Sequence, residues 1–413
     1  MLNKNGEREL AYVVKIDAIE PIIGSDNCEA AIVGGWRVMV RKETFKPGDL
    51  AIYFEIDSKV DTSRPEFAFL EKKGGKVKTQ RYTFGGQGLM FSQGLLMSPT
   101  DFGWTIENHN YGESVHSPIE HNPENDSRFL TKELGVTYAS AEDNARKSNK
   151  INKDKKYQSM AARHAKLFKK KPFRWLMRRE WGRKLLFMFF GKKRDNPRDW
   201  PTHFPYIHKT DEERCENLPW VLGYERPLIV TEKLDGTSST YILERKGRNK
   251  YEFYVLSRNV RQADENQECY HDHNIYWDMA FKYDIERKLR EYMELRPELT
   301  YVCVQGESVG SVQGNPLKLK EDDFYAFNFI TSDIGRWDSC TGREWAECVG
   351  IKWVPIIDVD FHMPTDMEEF KQMATAPSAI NPNVMREGIV LRDPTNDFSF
   401  KNVSREYLLK HNG

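Results

Sequence analysis

Nowhere among its 413 residues does this sequence hold an apolar run near the ~20 residues that crossing a bilayer requires, and LLFMFF at 185–190 falls far short. No membrane partner is therefore expected. The first ten residues, MLNKNGEREL, lack the apolar core of a secretory signal, so the expected compartment is the cell interior, the cytoplasm. Cysteine is sparse. Cys28, Cys215, Cys269, Cys303, Cys340 and Cys348 show no CxxC spacing, which predicts reduced thiols and excludes a disulfide framework or a zinc ribbon. The run Cys269-Tyr270-His271-Asp272-His273 brings thiolate and imidazole groups together. It has no second CxxC or HxxxH partner, so an exposed polar loop is expected there and not a metal site.

Net charge is also absent, with 62 basic residues against 62 acidic, but the charge is unevenly spread. From Arg146 to Arg198 there are 20 Lys and Arg against the three acids Asp154, Glu180 and Asp195, a local charge of +17. A block of this kind marks a contact with a polyanion or a solvated arm. With 39% hydrophobic, 12% aromatic and 30% charged residues, the composition is that of a soluble globular protein long enough for two or three domains.

Three regions follow. Residues 1–135 carry short alternating runs (AYVVKIDAIEPI, AAIVGGWRVMVRK, DLAIYFEI) separated by KPGD and paired glycines, which predicts a small β-barrel, OB-like or of SH3 type. Residues 136–200 form the basic connector. Within it, Lys166–Phe190 spaces Trp175, Leu176, Trp181, Leu185, Leu186, Phe189 and Phe190 near the helical period. A helix packed on a neighbouring domain, a nucleic-acid contact and a membrane-surface helix all fit that pattern. Residues 201–413 mix strand patterns (PLIVTEKL, STYILER, YEFYVLS, YVCVQGE, FYAFNFI, EGIVLR, FSFKNV) with helical ones at Tyr283–Leu295 and Asp366–Ala374, the pattern of an α+β domain.

The chemistry concentrates in that last region. Thr231–Thr237 reads TEKLDGT, placing Lys233, Asp235 and Gly236 in a KxDG quartet between two strand patterns. Alone, such a quartet arises by chance in about one chain in ten of this size. Taken singly, Lys233 reads as a surface lysine, Glu307 and Glu387 as solvated carboxylates at strand ends, and Phe327 as a core aromatic. What distinguishes them is an ordered series: Ser257-Arg258-Asn259, Gly306-Glu307-Ser308, Phe327 in FYAFNF, Glu387-Gly388-Ile389-Val390, and Lys401 in SFKNVS.

That series resembles motifs I, Ia, III, IIIa, IV and V of the covalent nucleotidyltransferases, which comprise ATP-dependent DNA and RNA ligases and mRNA capping enzymes. The lead-in FPYIHKTDEER, the FYAFNF strand and the SFKNVSREYLLK terminus are similar to nick-sealing RNA ligases. The SQGLLMSP run resembles the N-terminal OB domain of the Deinococcus-type RNA ligases. The resemblance implies an N-terminal OB-like β-barrel followed by a nucleotidyltransferase domain of antiparallel sheets and helices. It implies ATP as co-substrate and Mg²⁺ or Mn²⁺ as metal. The expected partner is RNA, or an RNA-containing duplex with a nick, bound by a monomer.

The same resemblance assigns roles. Lys233 forms a lysyl-AMP, and Asp235 and Gly236 shape the turn behind it, the glycine leaving room for phosphate and backbone. Glu232 contacts the adenine edge, Arg258 the ribose or phosphate and Glu307 a ribose hydroxyl, while Phe327 stacks on the base. Glu387 binds the metal and Lys401 the α-phosphate. A nucleophilic lysine must be neutral, and its ordinary pKa is about 10.4, so positive charge from Lys401 and a metal is expected to lower it. One departure is that Lys401 lacks the second lysine of the usual KxK. Lys410, Lys318 or Lys320 are candidates to replace it, if a second cation is needed at all. A GTP-using capping guanylyltransferase and a non-catalytic RNA-binding protein are the rival readings. Only about a dozen residues follow Lys401, which leaves no room for the C-terminal OB domain usual in capping enzymes.

Overall fold

The computed structural model describes all residues except 4–7, 86–87, 105–128, 139–170, 178, 191–203, 205–206, 208–209, 248, 259–260, 263–272, 396–397 and 412–413. Two sheets build the C-terminal region, and every strand pattern read there forms a strand. The first is five-stranded, in the order Glu213–Arg214, Ser399–Val403, Gly388–Arg392, Leu228–Lys233, Ile356–Phe361. Leu228–Lys233 is buried along almost its whole length, as its unbroken LIVTE run requires of a central strand. The second sheet is six-stranded, in the order Arg261–Gln262, Lys250–Ser257, Thr237–Gly247, Tyr301–Val309, Asp323–Thr331, Gly335–Arg336. Its long hairpin turns through Asn249 at φ 58°, a residue type that tolerates left-handed backbone.

Helices cover the six-stranded sheet. Ile285–Leu295 buries Ile285, Leu289 and Met293, one turn-spaced stripe, and starts after Asp284, whose φ of 48° ends the preceding helix Ile275–Lys282. The expected single helix from Tyr283 thus begins two residues later and has a neighbour that the sequence pattern did not reveal. Met367–Met373 matches the second expected helix, with Asp366 as its cap through the Glu369 N–H at 2.8 Å. The helices Ser339–Cys348 and Arg405–His411 and the strand Ile356–Phe361 were not apparent from periodicity.

The N-terminal region is mostly strand, with short 3-10 helices at Pro65–Lys73 and Pro99–Phe102, and its described strands do not close into one ring. Ala11–Lys15, Leu50–Phe54 and Leu95–Met97 form one sheet, and Ala18–Pro21, Cys28–Val33 and Trp36–Arg41 a second. Gln80–Phe84 pairs with Gly88–Ser92, and Ser58–Lys59 with Thr137–Tyr138. A closed barrel is therefore not formed by the described strands; the first two sheets pack around a shared core instead. That core includes Trp36, Tyr53 and Ala31 and continues into Val403 and Leu408 of the C-terminal region.

Polar contacts join the two regions as well. Asn217 accepts from the Trp36 indole at 2.6 Å and donates to Glu55 at 3.0 Å and Glu213 at 2.7 Å. Arg405 donates to Gln93 at 3.0 Å. Lys371 and Glu216, both fully buried, pair at 2.6 Å, and the same amine donates to the Val403 carbonyl at 3.1 Å.

In the connector, two helices, Lys171–Met177 and Glu180–Phe190, stand where one was expected. Packing on a neighbouring domain is not what most of their apolar residues do. Leu186 is buried, whereas Trp175, Trp181, Leu185, Met188 and Phe189 are exposed. Among the described residues no helix is long and apolar enough to cross a membrane. The described cysteines are free thiols, in line with expectation.

Candidate active site

Strand register creates the site. Leu228–Lys233 runs antiparallel to Gly388–Arg392 with Lys233 opposite Gly388, so the residue before that glycine, Glu387, falls beside the lysine. The Lys233 Nζ lies 2.7 Å from Glu387 Oε2. One strand further, Lys401 pairs with Val390. From the other sheet, Glu307 lies opposite Ser238. Residues 234–236 carry the chain from one sheet to the next, and a Cβ at Gly236 would stand 2.3 Å from the Ser308 carbonyl oxygen. The room that this glycine gives is taken at least in part by the neighbouring strand's backbone.

A cleft of about 570 Å³ is lined by Glu232, Lys233, Asp235, Arg258, Glu307 and Phe327, together with Glu387 and Lys401. All eight side chains singled out in the sequence share it. Glu232 is buried, and its Oε2 accepts the Ala379 N–H at 2.8 Å while Oε1 has no partner. Arg258 pairs with Asp211. Half-buried Phe327 lies under the Arg392 guanidinium, 5.7 Å from the ring centre, and Arg392 also donates to the Phe327 carbonyl at 2.6 Å. Asp235 accepts from the Tyr407 hydroxyl at 2.6 Å, and His411 stacks on Tyr407 at 4.1 Å.

The electrostatics differ from expectation at the lysine. Burial alone would lower Lys233, but Glu387, Glu307 and Asp235 outweigh it and hold the amine above its ordinary value. Within the cleft Lys233 is thus a paired ammonium. Burial raises Glu307 to about 8, helped by the negative charges of Glu387 and Asp235 against the pull of Lys233. Burial also raises Glu387. Lys401 is pushed down to about 7 by burial and by the positive charges of Arg8, Arg214 and Lys233.

The cations that sequence reasoning missed come from both ends of the chain. Arg8, Arg214 and Arg392 line the cleft, as do Lys76 and Lys78, whereas Lys318, Lys320 and Lys410 do not. A second cation is therefore present without any of the three proposed lysines. Arg214 Nη2 reaches Asp57 at 3.2 Å, and its buried Nε and Nη1 have no hydrogen-bond partner. Arg214 stands in the TDEER lead-in and Tyr407 in SREYLLK, segments marked by resemblance but given no role. Nothing near Arg8 in the sequence distinguished it.

Glu387, Glu307 and Asp235 are hard oxygen donors suited to Mg²⁺ or Mn²⁺. Among the described residues no group of three or more Asp, Glu, His or Cys could hold a metal by itself. A cation here would complete its shell with phosphate oxygens and water, the usual habit of Mg²⁺. Residues 269–272 of the Cys/His run lie outside the described residues. His273 contacts Asp278 and sits 2.9 Å from Asp322.

Residues 226–406 match the RNA ligase family model and residues 10–97 an OB-fold domain. No curated protein matches the chain. Solved structures of an RNA ligase from Naegleria gruberi are similar along the whole length. The form with pyrophosphate is 26% identical with a TM-score of 0.67, over 98% of this chain and 99% of that one. A variant of that protein with ATP and manganese is 26% identical with a TM-score of 0.65, over 98% of each chain. Another, with AMP and manganese, is 25% identical with a TM-score of 0.67, over 98% of this chain and 99% of that one.

Proposed function

We propose that this ATP-dependent RNA ligase joins 5′-phosphate to 3′-hydroxyl RNA ends through an adenylate held on Lys233. The observation that carries the reading is the convergence of the Lys233 amine, the Glu387 and Glu307 carboxylates and the Lys401 and arginine cations on one cleft. Nucleotidyl transfer needs positioning and charge neutralisation above all, and this cleft supplies both.

The Lys233 amine first gives up a proton, and Glu387 at 2.7 Å is in contact to take it. The Nζ lone pair then attacks the α-phosphorus of ATP, an N–P bond forms, the bond from that phosphorus to the bridging oxygen breaks, and pyrophosphate leaves. Lys401 faces the α-phosphate, and Arg8, Arg214 and Arg392 face the departing charge. Glu232 reads the adenine edge with its open Oε1, Phe327 stacks on the base, and Arg258 and Glu307 hold the ribose. Asp235, anchored by Tyr407, fixes the turn behind the nucleophile. Glu387 would hold the Mg²⁺ or Mn²⁺, whose charge lowers the amine's proton affinity and neutralises phosphate. AMP then passes to the RNA 5′-phosphate, and the 3′-hydroxyl displaces it to seal the strand.

A nick in a duplex is the proposed substrate and a monomer the acting form, with residues 1–135, 136–200 and 201–413 as functional units. Incubation with radiolabelled ATP and a divalent metal, followed by denaturation, tests the first step. Covalent label from ATP and not GTP, absent in Lys233→Ala, supports it. No label at any pH or metal tried overturns it.

A further inference from the structure

Trp181, Leu185, Met188 and Phe189 sit at i, i+4, i+7 and i+8 of the helix Glu180–Phe190, a single stripe of its surface. All four are exposed, Met188 and Phe189 at 70%, Trp181 at 53% and Leu185 at 39%. The helix is covered on another side, where Leu186 is buried and Gly182 meets the helix Lys171–Met177 so closely that a Cβ would stand 2.3 Å from the Leu176 carbonyl oxygen. The helix pair thus packs inward on itself and turns its apolar stripe outward. Trp175 prolongs the stripe, edge-on to Trp181 at 5.9 Å. The Arg179 guanidinium lies 4.0 Å over Trp175, and exposed Lys184 flanks Leu185. A contiguous apolar surface of this kind marks a partner site.

Charge selects the partner. By sequence, residues 171–190, which contain the stripe, carry six Lys and Arg against Glu180, a charge of +5. The occupant must cover aliphatic and aromatic side chains and neutralise a dense cationic field at once. RNA phosphates meet the second demand and leave Leu185 and Met188 in water. An anionic lipid surface meets both: acyl chains take the stripe, headgroups take the lysines and arginines, and the two indoles suit the interface between them. Eleven residues cannot span a bilayer, so the helix would lie in the membrane plane. We infer that residues 171–190 are an in-plane anchor that docks the enzyme on an anionic membrane surface. This inference is independent of the chemistry in the cleft.

Co-sedimentation of the full chain with vesicles tests it, comparing phosphatidylcholine alone with phosphatidylcholine containing phosphatidylglycerol. The expected result is binding to the anionic vesicles only, weakening as salt rises. The double variant Met188→Glu, Phe189→Glu should lose about tenfold or more of that binding. Its unfolding midpoint should stay that of the parent, because both side chains are exposed. Failure of the parent chain to bind anionic vesicles overturns the inference, as does undiminished binding by the variant. Loss of RNA affinity in the variant without any vesicle binding by the parent assigns the stripe to RNA instead.

Discussion

The Lys233 amine and the Glu387 carboxylate stand 2.7 Å apart at the open end of two paired strands, each placed there by the Lys233–Gly388 register. The cleft keeps the Lys233 amine as an ammonium, held by carboxylates that outweigh the effect of burial. Under the proposed mechanism, Glu387→Gln keeps the shape and removes the charge that would take a proton or hold a metal. Self-adenylylation, followed as covalent label per minute, is expected to fall about 10²- to 10³-fold. A variant as fast as the parent would remove Glu387 from the chemistry.

Lys401 is costly to the fold. Its amine is pushed down to about 7 by burial and by Arg8, Arg214 and Lys233, well below the usual lysine value, so the unfolded chain binds the proton more tightly than the folded one. By linkage, its contribution to stability improves as pH rises from about 7 towards 10. Lys401→Met should abolish ligation and raise the thermal midpoint at pH 7 by roughly 2–5 °C, a gain that shrinks towards pH 10. A midpoint lower than the parent's at pH 7 contradicts this.

Glu55 is the fully buried anion where the two regions meet. Burial would raise it, but the Met1 amine, Arg8 and Arg214 hold it well below the usual carboxylate range. Its stabilising effect is therefore complete above the ordinary glutamate value and lost as pH falls through the depressed one. Glu55→Gln should cost about 3 kcal/mol at pH 7 in urea unfolding, with parent and variant converging in acid. An equal difference at every pH would refute the assignment.

Glu232 keeps one buried oxygen without a partner in the cleft wall. If that oxygen reads the adenine edge, Glu232→Ala should reduce the preference for ATP over GTP labelling about 10- to 100-fold, seen by competition of the two nucleotides. Equal loss with both nucleotides would mean that Glu232 only braces Ala379.

Much of the site was legible in the sequence because its residues sit in or beside strands whose apolar patterns mark their ends. Lys233 closes LIVTE, Glu387 precedes GIVLR and Lys401 lies inside SFKNV. Alternating or unbroken apolar runs identify such strands one at a time, and all seven formed. The helices Ser339–Cys348 and Arg405–His411 were hidden because one presents a mixed polar surface and the other spans only two turns.

The order of motifs and the residue types able to hold a nucleotide were thus determined by the sequence alone. Tertiary structure decided which groups share the cleft. Register sets Lys233 against Glu387, and folding brings Arg8 and Lys76 from one end of the chain to Lys401 near the other. It also decided the charge state of the Lys233 amine. The field at an amine sums over every neighbour within a few ångströms in a poorly solvated wall, and no local pattern encodes neighbours hundreds of residues away.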